Sequence, residues 1–360
     1  MPRPPMTLCP RFSSGLPVLA ALLLALGTLA GCGPNPPEPS DDTLSALSVF
    51  PADVQSVSMI DLQRLKEDAG ISFFGERGIQ LTLLDSDIVF DPLSREQRAD
   101  LNTFIEASGF NPDTDLQSVY VAASPMGETV EMEAPLLVLN AQFERDRLAA
   151  SLADATDLVT PVDTESDMPV FAFADAERNA NEARADDRRM ALLDDRRIAI
   201  GSPADIGALL DRMQSGTGGF EASADDRELI GYASANNAAW SVIRTMPEQM
   251  GNIGEMLDGD ASTWQERMAR VATVTQQIGI GVSLTSEDVQ ARLTLAAGEN
   301  ASDVRSVLRG LASGAQAYDD LSEQQRTFLQ DLEINDTGRF VHVDMRSTQR
   351  ALAELMISAR

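Results

Sequence analysis

Apolar residues that alternate with polar ones, or stand in short unbroken runs, predict strands over 54–60, 116–123, 135–141, 168–174, 239–243, 277–284 and 289–296. Residues 81–90 read as a further strand or a buried turn. Two hairpins follow from Asp194-Asp195 between 190–193 and 196–200, and from 335–338 between 332–334 and 339–343. Apolar positions three and four apart predict helices over 94–108, 143–153, 262–271 and 301–311, with a short helix starting at Asp61. Ser94 with Gln97, and Ser322 with Gln325, read as capping boxes, and Gly109 as a helix stop. Ser202 caps a helix with Pro203 first and Ile206, Leu209, Leu210 and Met213 inward. Asp344 is expected to cap a last helix that buries Leu352, Leu355 and Met356. Met246, Met250, Ile253 and Leu257 form one helical stripe. The charged stretch 175–189 reads as an exposed loop.

Strands and helices in β–α–β–β–α order, without long alternating parallel units, predict an α+β fold of antiparallel sheets packed with helices. The Gly- and Ser-rich stretch 214–219 divides a first domain, 47–215, from a second, 216–360. The two run in the same order, which suggests related halves from an internal duplication. Arg197-Ile198-Ala199-Ile200 parallels Arg339-Phe340-Val341-His342 at an offset of 142, and Val119 and Val121 match Ile278 and Ile280 at 159. A rival register sets Leu93–Arg98 on Leu321–Arg326 at 228, but it breaks the strand order and reads as shared capping chemistry.

The first 31 residues place the chain. Arg3 and Arg11 precede an apolar run, 16–30, too short for the ~20 residues of a transmembrane span. The run closes on Leu29-Ala30-Gly31-Cys32. This order resembles the lipobox of bacterial lipoproteins. The resemblance implies cleavage between Gly31 and Cys32 and a lipid on the Cys32 sulfur, with palmitate among its chains. Gly33 stands where an inner-membrane retention Asp would, so the resemblance implies the outer membrane. Residues 32–46 hold the lipidated cysteine and a tether with Pro34, Pro36, Pro37 and Pro39. At about 3.1 Å per residue, ten such residues reach roughly 30 Å.

Charge narrows the partners. The net charge is −28, and removal of Arg3 and Arg11 with the signal gives −28 − 2 = −30 for the mature 329 residues. Lys66 is the only lysine. Such a surface repels nucleic acid, which needs basic patches. Cys9 falls in the signal, so beyond Cys32 the body has no cysteine and no internal disulfide.

The catalytic inventory is thin. His342 is the only histidine and shares a strand face with Phe340 and Asp344; no motif surrounds it, so it reads as structural. One histidine and no body cysteine exclude a His/Cys zinc site. No Gly-x-Ser-x-Gly elbow occurs, and neither Gly216–Gly219 nor Gly279-Ile280-Gly281 completes a phosphate loop. Asp85, Asp87 and Asp91, and Asp113 with Asp115, offer oxygens to calcium but lack the Gly and bidentate Glu of an EF-hand loop. Only Trp240 and Trp264 are available as platforms for a carboxylate-pair hydrolase. The methionine stripe either packs a core or lines a pocket for an apolar ligand.

The stretches FPADVQSVSMIDLQRL, GFNPDTDLQSVYVAA and LLDDRRIAIGSPADIGALLD resemble a group of uncharacterised exported bacterial proteins, a resemblance that implies no activity. The expectation is a lipid-anchored envelope protein at the outer membrane. It is a non-enzymatic binding or structural module without a cofactor or metal, held to the membrane through Cys32, its partner an envelope protein or lipid. A carrier of apolar ligands and a carboxylate-dependent hydrolase are the alternatives.

Overall fold

The computed structural model describes residues 37–70, 72–75, 78–83, 86–90, 102–103, 105–123, 135–156, 159–173, 188–244, 263–316, 326 and 329–348. Fifteen strands lie among them. They are β1 (Ser56–Asp61), β2 (Ser72–Gly75), β3 (Gly78–Leu83), β4 (Ser86–Phe90), β5 (Leu116–Ala123), β6 (Leu136–Ala141), β7 (Val159–Val162), β8 (Val170–Phe173), β9 (Arg189–Leu192) and β10 (Arg197–Gly201) in the first half. The second half supplies β11 (Ala239–Arg244), β12 (Gln277–Leu284), β13 (Asp288–Ala296), β14 (Glu333–Thr337) and β15 (Phe340–Thr348). The helices used below are α1 (Asp41–Leu47), α2 (Leu62–Ala69), α3 (Arg145–Asp154), α4 (Pro203–Ser215), α5 (Ala224–Ser234), α6 (Thr263–Val274) and α7 (Ala301–Gln316).

Twelve strands form one antiparallel sheet in the order β14-β15-β13-β12-β11-β1-β5-β6-β10-β9-β8-β7. The fold is α+β, with helices on both faces of this sheet. Of its strands, β1 and β5 to β10 make the first half and β11 to β15 the second, joined where β1 pairs with β11. Outward from β1 run β5, β6, β10 and β9; outward from β11 run β12, β13, β15 and β14. The halves therefore repeat one strand order. Ser58 pairs with Ser241 at the centre, and the two hydroxyls are 2.9 Å apart. The first half adds the β7–β8 hairpin at its edge. Strands β2, β3 and β4 form a separate small sheet, so 81–90 contributes the end of one strand and the whole of the next.

Paired residues in an antiparallel sheet point to the same face. One row runs Asp344, Arg292, Gly281, Trp240, Met59, Tyr120, Val138, Ala199 across seven pairings. On this upper face α1, α4 and α5 bury Leu47, Leu209, Leu229 and Ile230 against Val57, Tyr120, Val138, Trp240 and Phe340. On the lower face α3 packs Leu148 and Leu152 against Ile198, Leu192 and Phe171. There too, α7 packs Val304, Leu308 and Leu311 against Leu293, Leu295, Val341 and Val343.

The expected register of the halves needs one correction. Ile198 joins the lower-face core, whereas Phe340 lies in the upper-face core and Val341 in the lower. The true counterpart of Ile198 is Val341, not Phe340. The cause is the turn. Asp194, Asp195 and Arg196 separate the Leu193–Arg197 hydrogen bond, but only Gly338 and Arg339 separate Thr337 from Phe340. One residue fewer in the turn moves every following side chain to the other face. The pairing of Val119 and Val121 with Ile278 and Ile280 holds, since all four lie on the lower face beside Leu139, Leu137, Leu295 and Leu293.

Three further expectations differ from the structure. Asp344 caps no helix: it sits inside β15, buried and ion-paired with Arg292 across β13. A carboxylate that finds a guanidinium on the next strand has no need of free helix N–H groups. Helix α5 occupies a stretch where the apolar pattern predicts none. Ordered structure also starts before Leu47, because Ser40 caps α1 and Ala46 and Leu47 enter the core. The capping boxes at Ser94 and Ser322, the stripe from Met246 to Leu257 and the last helix lie outside the described residues in whole or part.

Candidate functional site

Cys32 and Gly31 lie outside the described residues. Within them, buried ionisable side chains lie in two groups on the upper face, one at the start of α5 and one beside that helix.

The first is Asp226, 3% exposed. Ser223 and Asp226 form a reciprocal capping box at the start of α5. The carboxylate accepts from the Ser223 backbone N–H at 3.0 Å and from its hydroxyl at 2.8 Å. Arg244, on β11, donates to Oδ2 at 3.1 Å, and Gln277, on β12, donates to Oδ1 at 2.9 Å. Burial pushes this carboxyl up, but the Ser223 and Arg244 hydrogen bonds outweigh it and hold the group below the usual Asp range. Arg244 also donates to the Ala52 carbonyl at 3.1 Å and lies over the Phe220 ring at 4.8 Å. Each oxygen is satisfied, so the group is a bolt between helix and sheet. The capping spacing Ser223-x-x-Asp226, ahead of Leu229, Ile230 and Ala233, is the sequence signal that marks this helix.

The second place is the row of β13 and β15 beyond α5. Arg292 meets Asp344 through two hydrogen bonds, one from Nε to Oδ1 and one from Nη2 to Oδ2 at 3.2 Å. One step along the strands, Thr294 Oγ1 lies 3.1 Å from His342 Nδ1. The imidazole is 6% exposed and packs on the Tyr232 ring at 4.5 Å. Its Nε2 has no partner among the described residues. Burial first, and then the Arg292 charge, push its pKa down to about 4, against an opposing pull from Asp344 and Asp336. The ring is therefore neutral at pH 7.

A hydroxyl beside an imidazole is the start of acyl-transfer chemistry. Here it ends there. Thr294 is 0% exposed and Tyr232 covers the imidazole, so the pair has no open side for a substrate. The sequence reading of His342 as sharing a face with Phe340 and Asp344 matches the register.

The remaining candidates are dispersed. Asp113 binds Lys66 Nζ at 2.6 Å, and Asp115 accepts from the Asn111 backbone N–H at 2.7 Å. Asp87 pairs with Thr82 within β4 and β3. Asp85 and Asp91 are outside the described residues. Among the described residues no three carboxylate, histidine or cysteine side chains gather as metal ligands. Among them, too, no helix is long and apolar enough to cross a membrane.

No family model matches the chain, and no curated protein does. Solved structures of three crystal forms of TP0453 are similar to it. Crystal form III has a TM-score of 0.44 and 7% identity over 87% of this chain and 97% of that one. Form I gives 0.42 and 8% over 87% and 96%, and form IV gives 0.40 and 9% over 86% and 95%.

Proposed function

We propose that the protein is a lipid-anchored lipoprotein of the outer membrane that works as a non-enzymatic binding or structural module. One observation carries this reading: Leu29-Ala30-Gly31-Cys32 closes an apolar run headed by Arg3 and Arg11. Two features of the body support it. Buried Asp226 holds α5 to the sheet and buried Asp344 joins β15 to β13, which are structural tasks. Pro37, five residues after Cys32, is already packed on the body at Gly231, so an anchor at Cys32 would hold a folded body. Several acyl chains anchor stably where one of myristoyl length binds only marginally.

The test is metabolic labelling with radioactive palmitate in the native host. The wild-type chain should take up label and fractionate with outer membranes. Cys32→Ala should take up none and appear as uncut precursor or as released protein. Absence of label from the wild-type chain overturns the reading.

A further inference from the structure

We infer that the α5 side of the sheet is the face the lipid anchor holds toward the bilayer. The inference rests on the lipid-anchor reading above and adds an orientation to it. It starts from Gly231, midway along α5. A Cβ at this glycine would lie 1.7 Å from the Pro37 carbonyl oxygen and 3.7 Å from Pro39 Cδ. The backbone of the expected tether is therefore laid directly on the helix, at a spot only glycine leaves open. Gly231 is itself buried.

This docking shortens the leash. Of the tether, only Gly33, Pro34, Asn35 and Pro36 lie between Cys32 and the docked Pro37. At about 3.1 Å per residue these five steps reach roughly 15 Å, half the length the sequence alone suggests. Lipid on Cys32 thus keeps Gly231 within roughly 15 Å of the headgroups.

The layers then fall in order. Helix α5 lies on the upper face, where Leu229 and Ala233 meet the positions of Gly279 and Gly281 on β12. Arg227, one turn before Gly231, is exposed on the same outer side of the helix. Helix α7 lies on the lower face, across the sheet, with Ser306 exposed. From the bilayer outward the order is Pro37, α5, sheet, α7. The acidic body gains nothing from anionic headgroups, so the leash rather than charge selects this face.

The absence of any body cysteine makes a direct test available. Full-length lipoprotein carrying Arg227→Cys or Ser306→Cys is labelled with one dye and reconstituted in phosphatidylcholine vesicles that hold headgroup spin-labelled lipid. Quenching at position 227 should exceed that at 306 several-fold. A ten-residue Gly/Ser insertion between Asn35 and Pro36 should bring the two sites close to equality. Equal or reversed quenching, in protein shown by mass spectrometry to carry lipid and to float with vesicles, overturns the orientation and leaves the anchor standing. Protein that carries no lipid and stays off the vesicles overturns both.

Discussion

The upper face holds opposite chemistry in its two halves. By strand order, Leu136, Val138, Ala199 and Gly201 of the first half stand where Arg292, Thr294, His342 and Asp344 stand in the second. Tyr120 and Ala122 likewise stand where Gly279 and Gly281 do. In the first half the sheet supplies its own bulk, with Tyr120 and Val138 buried in the main core. In the second half two glycines withdraw from the sheet surface and α5 moves in. Its Leu229 Cδ1 would stand 2.9 Å from a Cβ at Gly279. The Ala233 carbonyl would stand 2.3 Å from one at Gly281. The same topology thus carries either a bulky sheet or a close helix. Polar groups are tolerated beyond the helix because they pair with each other: Arg292 with Asp344, Thr294 with His342.

The largest effect should come from filling the helix seat. Gly281→Val sets side-chain carbon against a backbone carbonyl that cannot turn aside. We expect a loss above about 4 kcal/mol, or no folded protein, by urea denaturation. Ala122→Val, at the matching place in the first half, should cost about 1–3 kcal/mol. Similar losses at both sites would end the contrast between the halves.

Next comes the ion pair. Asp344→Ala leaves Arg292, its side chain only 19% exposed, without its carboxylate and should cost about 3–5 kcal/mol. Adding Arg292→Leu, the residue type at position 136, should recover most of that loss. If the double variant is no more stable than Asp344→Ala, the pair is not what makes the polar half tolerable.

The imidazole gives a pH signature. The unfolded chain takes up a proton at His342 below its ordinary value of 6.5, the folded chain only near 4. Stability from the neutral buried ring is therefore full above pH 6.5 and is lost as pH falls toward 4. The loss is on the order of 3 kcal/mol at 1.36 kcal/mol per pKa unit. His342→Ala, which copies Ala199, should be less stable at pH 7 but should lack this component of the slope. Parallel pH profiles for the two proteins would show that the ring does not titrate this way.

Salt should have the smallest effect. The net charge of −28 opposes folding, and NaCl from 0.01 to 1 M cuts the Debye length from about 30 to about 3 Å. The melting temperature should rise for a chain of residues 40–360. Exposed ion pairs such as Arg339–Asp225 and Arg346–Asp288 in the second half weaken over the same range, each by about 0–1 kcal/mol. Hydrogen exchange should then show less gain in β14 and β15 than in β5 and β6. A melting temperature that falls throughout would mean that ion-pair attraction outweighs repulsion.

Most of the local structure was already written along the chain. The alternation in 116–123 and 277–284 places β5 and β12, and Ser202-Pro203 starts α4, because period and capping are properties of a few adjacent residues. The lipobox-like order Leu29-Ala30-Gly31-Cys32 is legible for the same reason, being four consecutive residues. Contacts far apart in sequence decided the rest. Asp344 reads as a helix cap until Arg292, fifty-two residues earlier, is set beside it on the next strand. Gly279 and Gly281 look like a failed phosphate loop until α5 is seated on them. A turn one residue shorter, at Gly338-Arg339, exchanges the faces of Phe340 and Val341. Pro37 reads as free tether until Gly231 receives it. Local spacing determines which element a segment forms; which face it shows, and what it is packed against, is settled only when the twelve strands close their register.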